Sequence, residues 1–78
     1  MVMVNLYAAA RSAMGQAKFH SEASTLNELI YTLSSQNEAM KKLLPTCSYL
    51  LNSQACHDLS QSLLEHDEID VLPQFAGG

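Results

Sequence analysis

The last four residues of the chain, Phe75-Ala76-Gly77-Gly78, present its most chemically suggestive group, a carboxylate on two glycines. Glycine has no Cβ, so its backbone can enter narrow clefts that are closed to other residues. A diglycine end can therefore place a carboxylate inside the active site of another protein. Two terminal glycines are also typical of a frayed chain end. The pair gains meaning only from the residues that precede it.

Other residues that could do chemistry form weaker patterns. Cys56-His57 and His66-Asp67 put metal-ligand types side by side, but structural zinc sites take four ligands in paired spacings. Adjacent residues of a strand point to opposite faces, which argues against either pair acting together. Cys56 and His57 also lack an orienting third residue for nucleophilic catalysis. We predict no metal site, and we interpret Cys47 and Cys56 as reduced thiols that pack as small buried hydrophobes.

The charge balance is acidic, with a net charge of -4 from eight Asp and Glu against four Lys and Arg. Nucleic acid is a poor partner, because a phosphate backbone requires clustered cations and Lys41-Lys42 is the only adjacent basic pair. Four acidic residues lie close together in the sequence, Glu65, Asp67, Glu68 and Asp70. We interpret them as a solvated rim that steers basic partner surfaces, in preference to a cation site or a catalytic site.

Length and hydropathy predict one small cytoplasmic domain. A chain of this length buries only about two-thirds of its unfolded surface, so we expect a single core. The stability of such a core should be ~3–5 kcal/mol. Arg11 is the first basic residue, which is unlike a secretory signal, and no apolar run reaches membrane-spanning length. We expect no membrane partner.

The elements that must position the diglycine begin with a strand. Residues 2–7 alternate between strongly and weakly apolar types, which is the period-two pattern of a half-buried strand. Residues 8–14 are rich in helix formers and precede Gly15, which predicts a short helical turn. Residues 16–22 predict a second strand, placed at a sheet edge because only Phe19 is strongly apolar.

The middle of the chain predicts the main helix. Thr25 and Glu28 fit a capping box, in which each side chain satisfies a backbone N–H at the helix start. Apolar residues then recur on one helical face in two stretches, Leu26, Leu29, Ile30 and Leu33, then Ala39, Met40, Leu43 and Leu44. Pro45 blocks further helix. We therefore predict a long helix followed by one or two helical turns.

A hairpin is predicted in the second half of the chain. Residues 48–51 favour a strand, residues 52–54 a turn, and residues 55–57 the returning strand. Asn52 supports the turn, because asparagine tolerates the left-handed backbone that tight hairpins need. Residues 58–64 contain three leucines and predict a single helical turn.

The last strand is predicted over Ile69–Leu72, and Pro73 ends it because proline cannot donate the next ladder hydrogen bond. The element order is then strand, strand, helix, strand, strand, strand. This order predicts an α+β fold, with a mixed sheet of about five strands that carries one main helix. Residues 1–72 would form the domain, and residues 73–78 would form a flexible tail.

Residues 67–78, DEIDVLPQFAGG, resemble the end of the ubiquitin-like sulfur carriers, most of all the small subunits of molybdopterin synthase. That family typically ends in an acidic pair, a four-residue apolar strand, proline, variable residues and diglycine. The resemblance extends to Arg11 in an alanine-rich turn, to the helix start at residues 25–29, and to Asn52 in the family's Asn-Gly turn. The sequence departs from the family pattern at three positions, Ser53, His66 and Gln74.

The resemblance implies a β-grasp fold and a mechanism centred on Gly78. A ubiquitin-activating-like adenylyltransferase would use ATP to convert the Gly78 carboxylate to an acyl-adenylate, and a sulfur donor protein would convert that to a thiocarboxylate. The sulfur would then attack a pyranopterin precursor in the synthase large subunit, making the dithiolene of molybdopterin. The chain would bind no cofactor and would be inert alone, acting in a heterotetramer of two small and two large subunits.

The resemblance also assigns residues to the partner contact. Gly77, Ala76 and Phe75 would lie in the partner's active site, with Phe75 as the larger anchor. Three further residues would contact the partner outside that site, Tyr7, Leu72 and Gln74. For Leu72, packing in the domain's own core is the alternative.

Two other functions stay open. The chain could be a related sulfur carrier for thiamine, cysteine or tRNA thiolation, or an interaction module without terminal chemistry. The 78-residue length and the long middle helical region favour the molybdopterin carrier, because thiamine carriers are usually shorter.

Overall fold

Five strands and three α-helices make up residues 1–74, the part of the chain that the computed structural model describes. In chain order they are β1 (Val2–Leu6), α1 (Ala8–Met14), β2 (Lys18–Ser21), α2 (Leu26–Ser34), α3 (Glu38–Leu43), a 3₁₀ turn (Leu44–Thr46), β3 (Cys47–Leu51), β4 (Gln54–Ala55) and β5 (Glu68–Pro73).

The strands form one mixed sheet in the order β2-β1-β5-β3-β4. β1 and β5 pair in parallel, with Leu6 opposite Val71, and every other pairing in the sheet is antiparallel. The last strand along the chain therefore lies in the middle of the sheet. This arrangement confirms the predicted α+β, β-grasp fold with a mixed sheet of five strands.

One face of the sheet packs against the helices. Alternate residues of β1 are fully buried and the residues between them are half-buried, as the period-two pattern predicts. The same alternation continues in β5, where Ile69 and Val71 are completely buried. These strand residues join the buried residues of the helices in one core cluster. The opposite face, here called the outer face, carries the alternate strand residues.

The capping box at the start of α2 forms with one shift. The hydroxyl of Thr25 accepts from the Glu28 N–H at 3.1 Å, as predicted. The Glu28 carboxylate accepts from the N–H of Ser24 at 2.9 Å, one residue before the predicted cap amide. The helix then buries Leu29 and Leu33 completely.

The predicted long helix and the helical turns that follow it correspond to α2 and α3. The predicted turn over residues 8–14 is a seven-residue helix, α1, which ends at Gly15 in the left-handed conformation. The middle region contains α2 and the six-residue α3. The Asn37 side chain accepts from the Met40 N–H at 2.9 Å, and this second N-cap is why a separate helix begins there.

The helical turn predicted over residues 58–64 is wrong. Asp58 accepts from both the N–H and the hydroxyl of Ser60, at 2.9 and 2.7 Å, and so closes a local turn. The chain then forms an isolated antiparallel bridge between Ser62 and Thr25. Leu63 is buried while Leu59 is 52% exposed, so the leucines do not share one face.

The β3–β4 hairpin turns over two residues, Asn52 and Ser53, whose φ angles are 48° and 71°. Positive φ at both central positions is the requirement of a type I′ turn. The hairpin was predicted, although β4 begins at Gln54, which the prediction had placed in the turn. His66, the second departure from the family pattern, also has positive φ, at 75°.

Replacing Ser53 by glycine should stabilise the protein. A left-handed conformation costs an L-residue roughly 1–2 kcal/mol, which the extra unfolded-state freedom of glycine partly offsets. We expect Ser53→Gly to raise the free energy of unfolding by about 0.5–1 kcal/mol in urea titrations. The matched control is Ser48→Gly, at an exposed position inside β3, which should lower that free energy. Equal effects of the two substitutions would contradict the strain argument.

Candidate functional site

The candidate site is the end of β5, where the chain leaves the sheet towards the diglycine. β5 continues through Pro73, which pairs with Cys47 of β3, so the strand extends one residue beyond the predicted Ile69–Leu72. Gln74 follows and is exposed. Residues 75–78 come next, and these lie outside the described residues. Four of the predicted site residues, Phe75, Ala76, Gly77 and Gly78, are therefore not described.

An apolar patch lies on the outer face at this end of β5. Leu6 pairs with Val71, so Tyr7 and Leu72 follow side by side at the ends of parallel neighbours, on the face opposite the core. Tyr7 is 43% exposed and Leu72 is half-buried. Leu50 of β3 is half-buried, and its partner is Asp70, which shares the face of Leu72. We call Tyr7, Leu50 and Leu72 the outer patch.

Tyr7, Leu72 and Gln74 therefore lie at the same end of the sheet. Leu72 is outside the core cluster, which removes core packing as its main role. Leu50 was missed, because its position beside β5 depends on the pairing of distant strands. The available signal in the sequence was that Ser48 and Leu50 are two residues apart, so they share one face of β3, and the polar Ser48 indicates that this face lies away from the core.

A hydrogen-bonded polar cluster adjoins the outer patch. The Asn5 amide donates to the carboxylates of Asp70 and Glu68, at 2.8 and 3.0 Å, and the Lys18 ammonium donates to the Asn5 amide oxygen at 3.1 Å. Two of the four predicted acidic-rim residues therefore lie on the outer face. Carboxylates beside an exposed apolar patch suit a partner surface with basic residues at its margin.

Asp67, the third member of the predicted rim, serves the fold. Its carboxylate accepts from the Leu64 N–H at 2.7 Å and from the Asn52 amide at 3.0 Å, and these bonds lower the pKa of Asp67. Asn52 in turn accepts from the Glu68 N–H at 2.9 Å. Through these hydrogen bonds, Asp67 and Asn52 link the hairpin turn to the start of β5, the strand that leads to the site. Because the folded pKa is depressed, this contribution is present at neutral pH and is lost as the pH falls through that pKa.

Neither cysteine is placed to act as a nucleophile. Cys56 is buried, as predicted, whereas Cys47 is half-buried. The Cys47 thiol lies 3.4 Å from the Leu43 carbonyl, and burial raises its pKa. A raised pKa leaves little thiolate at neutral pH. The adjacent Tyr49 hydroxyl donates to the Leu44 carbonyl at 3.1 Å, and burial raises its pKa as well.

Other kinds of site have little support over residues 1–74. Within this range no three His, Cys, Asp or Glu residues stand close enough together to hold a metal ion. Cys56 is buried while His57 is exposed, so this adjacent pair does not converge on one point. In the same range, none of the helices has the length and apolar character needed to cross a bilayer.

The sequence profile described as the ThiS family matches residues 4–78, nearly the whole chain. No curated protein matches the chain, but several solved structures do. A chain of the complex of subunits 1 and 2 of molybdopterin-converting factor from Helicobacter pylori is 28% identical, with a TM-score of 0.74, over 99% of this chain and 97% of that one.

Two further structures share the fold at lower identity. The small archaeal modifier protein SAMP1 from Methanosarcina acetivorans is 22% identical, with a TM-score of 0.87, over 99% of this chain and 95% of that one. A chain of the Amycolatopsis orientalis BexX/CysO complex is 20% identical, with a TM-score of 0.79, over the full length of both chains. All three are similar in fold along nearly their whole length.

Proposed function

Since the chain belongs to the ThiS family of ubiquitin-like sulfur carriers, we propose that it is the sulfur-donating small subunit of a cytoplasmic molybdopterin synthase. The observation that carries this proposal is the family match, which covers residues 4–78 and so includes the diglycine at residues 77–78. The 28% identity with a chain of the Helicobacter pylori molybdopterin-converting factor complex supports the choice within the family.

The proposed chemistry takes place on the carboxylate of Gly78. An activating enzyme joins this carboxylate to the AMP part of ATP and releases pyrophosphate, which turns a poor electrophile into an acyl phosphate anhydride. A sulfur nucleophile on a donor protein then attacks the acyl carbon and displaces AMP. If the donor nucleophile is a persulfide, the product is an acyl disulfide, and a thiol reductant cleaves its S–S bond and leaves a thiocarboxylate on Gly78. The thiocarboxylate sulfur then attacks the pyranopterin precursor, and hydrolysis of the resulting thioester leaves the sulfur on the precursor and returns the Gly78 carboxylate. Two such transfers complete the dithiolene.

The folded domain supplies recognition in this scheme. Ala76, Gly77 and Gly78 are small enough to enter a narrow active site, but they bury little apolar area and so contribute little affinity. The affinity must come from the outer patch, with the Asn5, Glu68 and Asp70 cluster at its margin, and from Phe75. Because the outer patch adjoins the end of β5, a partner that covers it would receive the tail at a fixed point.

A carrier for another thiolation pathway is the second candidate. The likeness to SAMP1 and to CysO favours it, since the TM-score with SAMP1, at 0.87, is higher than with the molybdopterin-converting factor chain, at 0.74. The corresponding identities, 22% and 28%, favour the synthase. Both candidates share the chemistry at Gly78 and differ in the acceptor, so the partner separates them.

The shared chemistry is tested by intact-mass analysis after coexpression with an activating enzyme and a sulfur source. We expect a mass increase that equals one sulfur replacing one oxygen, located on Gly78 by fragmentation. The control is an established carrier that is loaded under the same conditions. An unchanged mass beside a loaded control would reject both carrier functions and leave the interaction module.

The proposed partner is tested by copurification with a synthase large subunit. We expect Leu72→Asp to weaken binding by about 2 kcal/mol or more, the size typical of an interface hot spot. Leu64→Asp is the matched control, because Leu64 is 67% exposed near the opposite end of β5. Binding only to the activating enzyme, and none to the large subunit, would favour a different thiolation pathway.

A further inference from the structure

A groove of about 420 Å³ opens on the helix side of the sheet, between α2, the 3₁₀ turn and β3. Its wall is largely apolar and includes Ile30, Leu44, Pro45, Cys47, Tyr49 and Leu59. Leu59 is 52% exposed and Pro45 is exposed as well, so the groove is open to solvent. Its volume is within the range of pockets that hold small organic molecules. Neither the outer patch nor the proposed chemistry at Gly78 uses this groove.

The polar part of the wall offers one charged hydrogen-bond donor. Within residues 1–74, the wall is completed by Asn27 and Ser34 of α2 and Lys41 of α3. The Ser34 hydroxyl already donates to the Tyr31 carbonyl at 2.9 Å, and the Tyr49 hydroxyl donates to the Leu44 carbonyl at 3.1 Å. The described wall residues include no Asp or Glu. The polar group of a ligand would therefore meet the Lys41 ammonium as the charged donor.

The single charge of the wall selects the charge of the ligand. An ammonium donates up to three hydrogen bonds and accepts none, so it pairs with an acceptor group such as a carboxylate. One cation neutralises one carboxylate, whereas a phosphate dianion would keep a net charge beside an apolar wall, which is unfavourable. Glu38 lies one turn before Lys41 on α3, but it is outside the wall. The groove thus matches a ligand with an apolar body and one carboxylate.

We propose that the groove binds a small amphiphilic carboxylate, with its hydrocarbon part against Ile30, Tyr49 and Leu59 and its carboxylate on Lys41. A second copy of the chain is a poorer occupant, because a symmetric contact would bring the two copies of Lys41 together. A protein partner would need about 800 Å² of surface on each side, which extends well beyond the groove. The site does not depend on the sulfur-carrier function.

Methyl NMR of the full chain, titrated with sodium octanoate, tests the site. We expect saturable shifts of the methyl resonances of Ile30, Leu44 and Leu59. The expected Kd is about 1 mM, which is the affinity that the ten non-hydrogen atoms of octanoate support at an ordinary ligand efficiency. The methyls of Leu50 and Leu72, on the outer face, should not shift. Outer-face shifts as large as those in the groove would mean non-specific adsorption and would overturn the proposal.

Two lysine variants test the charge pair. Lys41→Gln should raise the Kd for octanoate about threefold, the effect of losing an exposed ion pair. Lys42→Gln is the matched control, because it removes the same charge one residue away, at a position outside the groove wall, and it should leave the Kd unchanged. Octylammonium, which has the same chain and the opposite charge, should bind more weakly than octanoate. Equal Kd values for the two variants, or for the two probes, would contradict the proposal.

A further pair of variants tests the apolar wall. Leu59→Ser should raise the Kd several-fold and leave the fold intact, since Leu59 is 52% exposed. Leu64→Ser, at a 67% exposed position outside the groove, should have no effect on the Kd. An unchanged Kd in Leu59→Ser would reject the groove as the site, and groove methyls that shift with protein concentration alone would assign it to a second copy, which also rejects it. None of these measurements needs an activating enzyme, so their failure is separate from a failure of the proposed function.

Discussion

Deleting Gly78 is expected to abolish sulfur loading and transfer while the domain stays folded. The deletion moves the terminal carboxylate back by one residue, ~3.5 Å, and a misplacement of 1 Å can reduce a rate by about 100-fold. Gly77 cannot compensate, because a bound domain fixes the point at which the tail begins. Single-turnover loading, followed by intact mass, measures the effect.

One extra alanine after Gly78 should have the same effect, because it moves the carboxylate too far forward. The length-matched control is Ala76→Ser, which changes a tail residue and keeps the reach, and which should load. Thermal unfolding should be the same in all four proteins, since the sheet ends at Pro73. Substantial loading of either length variant would show that terminal position does not control the chemistry.

Replacing Leu29 by alanine is expected to unfold most of the protein. Leu29 is completely buried where α2 meets the sheet, and a buried Leu→Ala change removes about 2–5 kcal/mol. A domain of this size has only ~3–5 kcal/mol of stability, so the loss is comparable with the whole. Urea titration followed by circular dichroism measures it.

Tyr31→Ala provides the control on the same helix. Tyr31 is 73% exposed, so its truncation should change the free energy of unfolding by no more than about 0.5 kcal/mol. Alanine has a higher helix propensity than either residue, so similar losses for the two substitutions would contradict the argument that burial at Leu29 decides the cost.

Local patterns in the sequence predicted most of the elements. The alternation in β1 and β5 and the leucine spacing in α2 each record which side of an element is buried, so a period alone identifies them. The Asn52 turn was predicted for the same kind of reason, since few residue types accept its backbone angles. The sheet and its mixed class followed from the order of these elements.

The sequence was less informative where side chains compete for backbone hydrogen bonds. The leucines at residues 58–64 have a helical spacing, but the Asp58 carboxylate closes a turn with Ser60. The predicted helical turns after the long helix do form, as α3, and the Asn37 cap sets the residue at which α3 begins. The turn at Asp58 depends on a single side chain whose choice of partner has no periodic signal.

The candidate site was predictable only in part. Tyr7 and Leu72 could be placed near the tail once β1 and β5 were taken as neighbours. Leu50 could not, because its position relative to Leu72 depends on the register of β3 against β5, which no local pattern encodes.

The position of β5 has a consequence for synthesis on the ribosome. β1 and β3 each pair with β5 and not with one another, so a nascent chain that lacks residues 68–73 has no strand to join the β2-β1 pair to the β3-β4 hairpin. Domains fold as units, and this one cannot complete its unit until β5 has emerged from the exit tunnel. A chain that ends upstream of β5 therefore leaves β1 and β3 with open sheet edges, which makes it prone to aggregation.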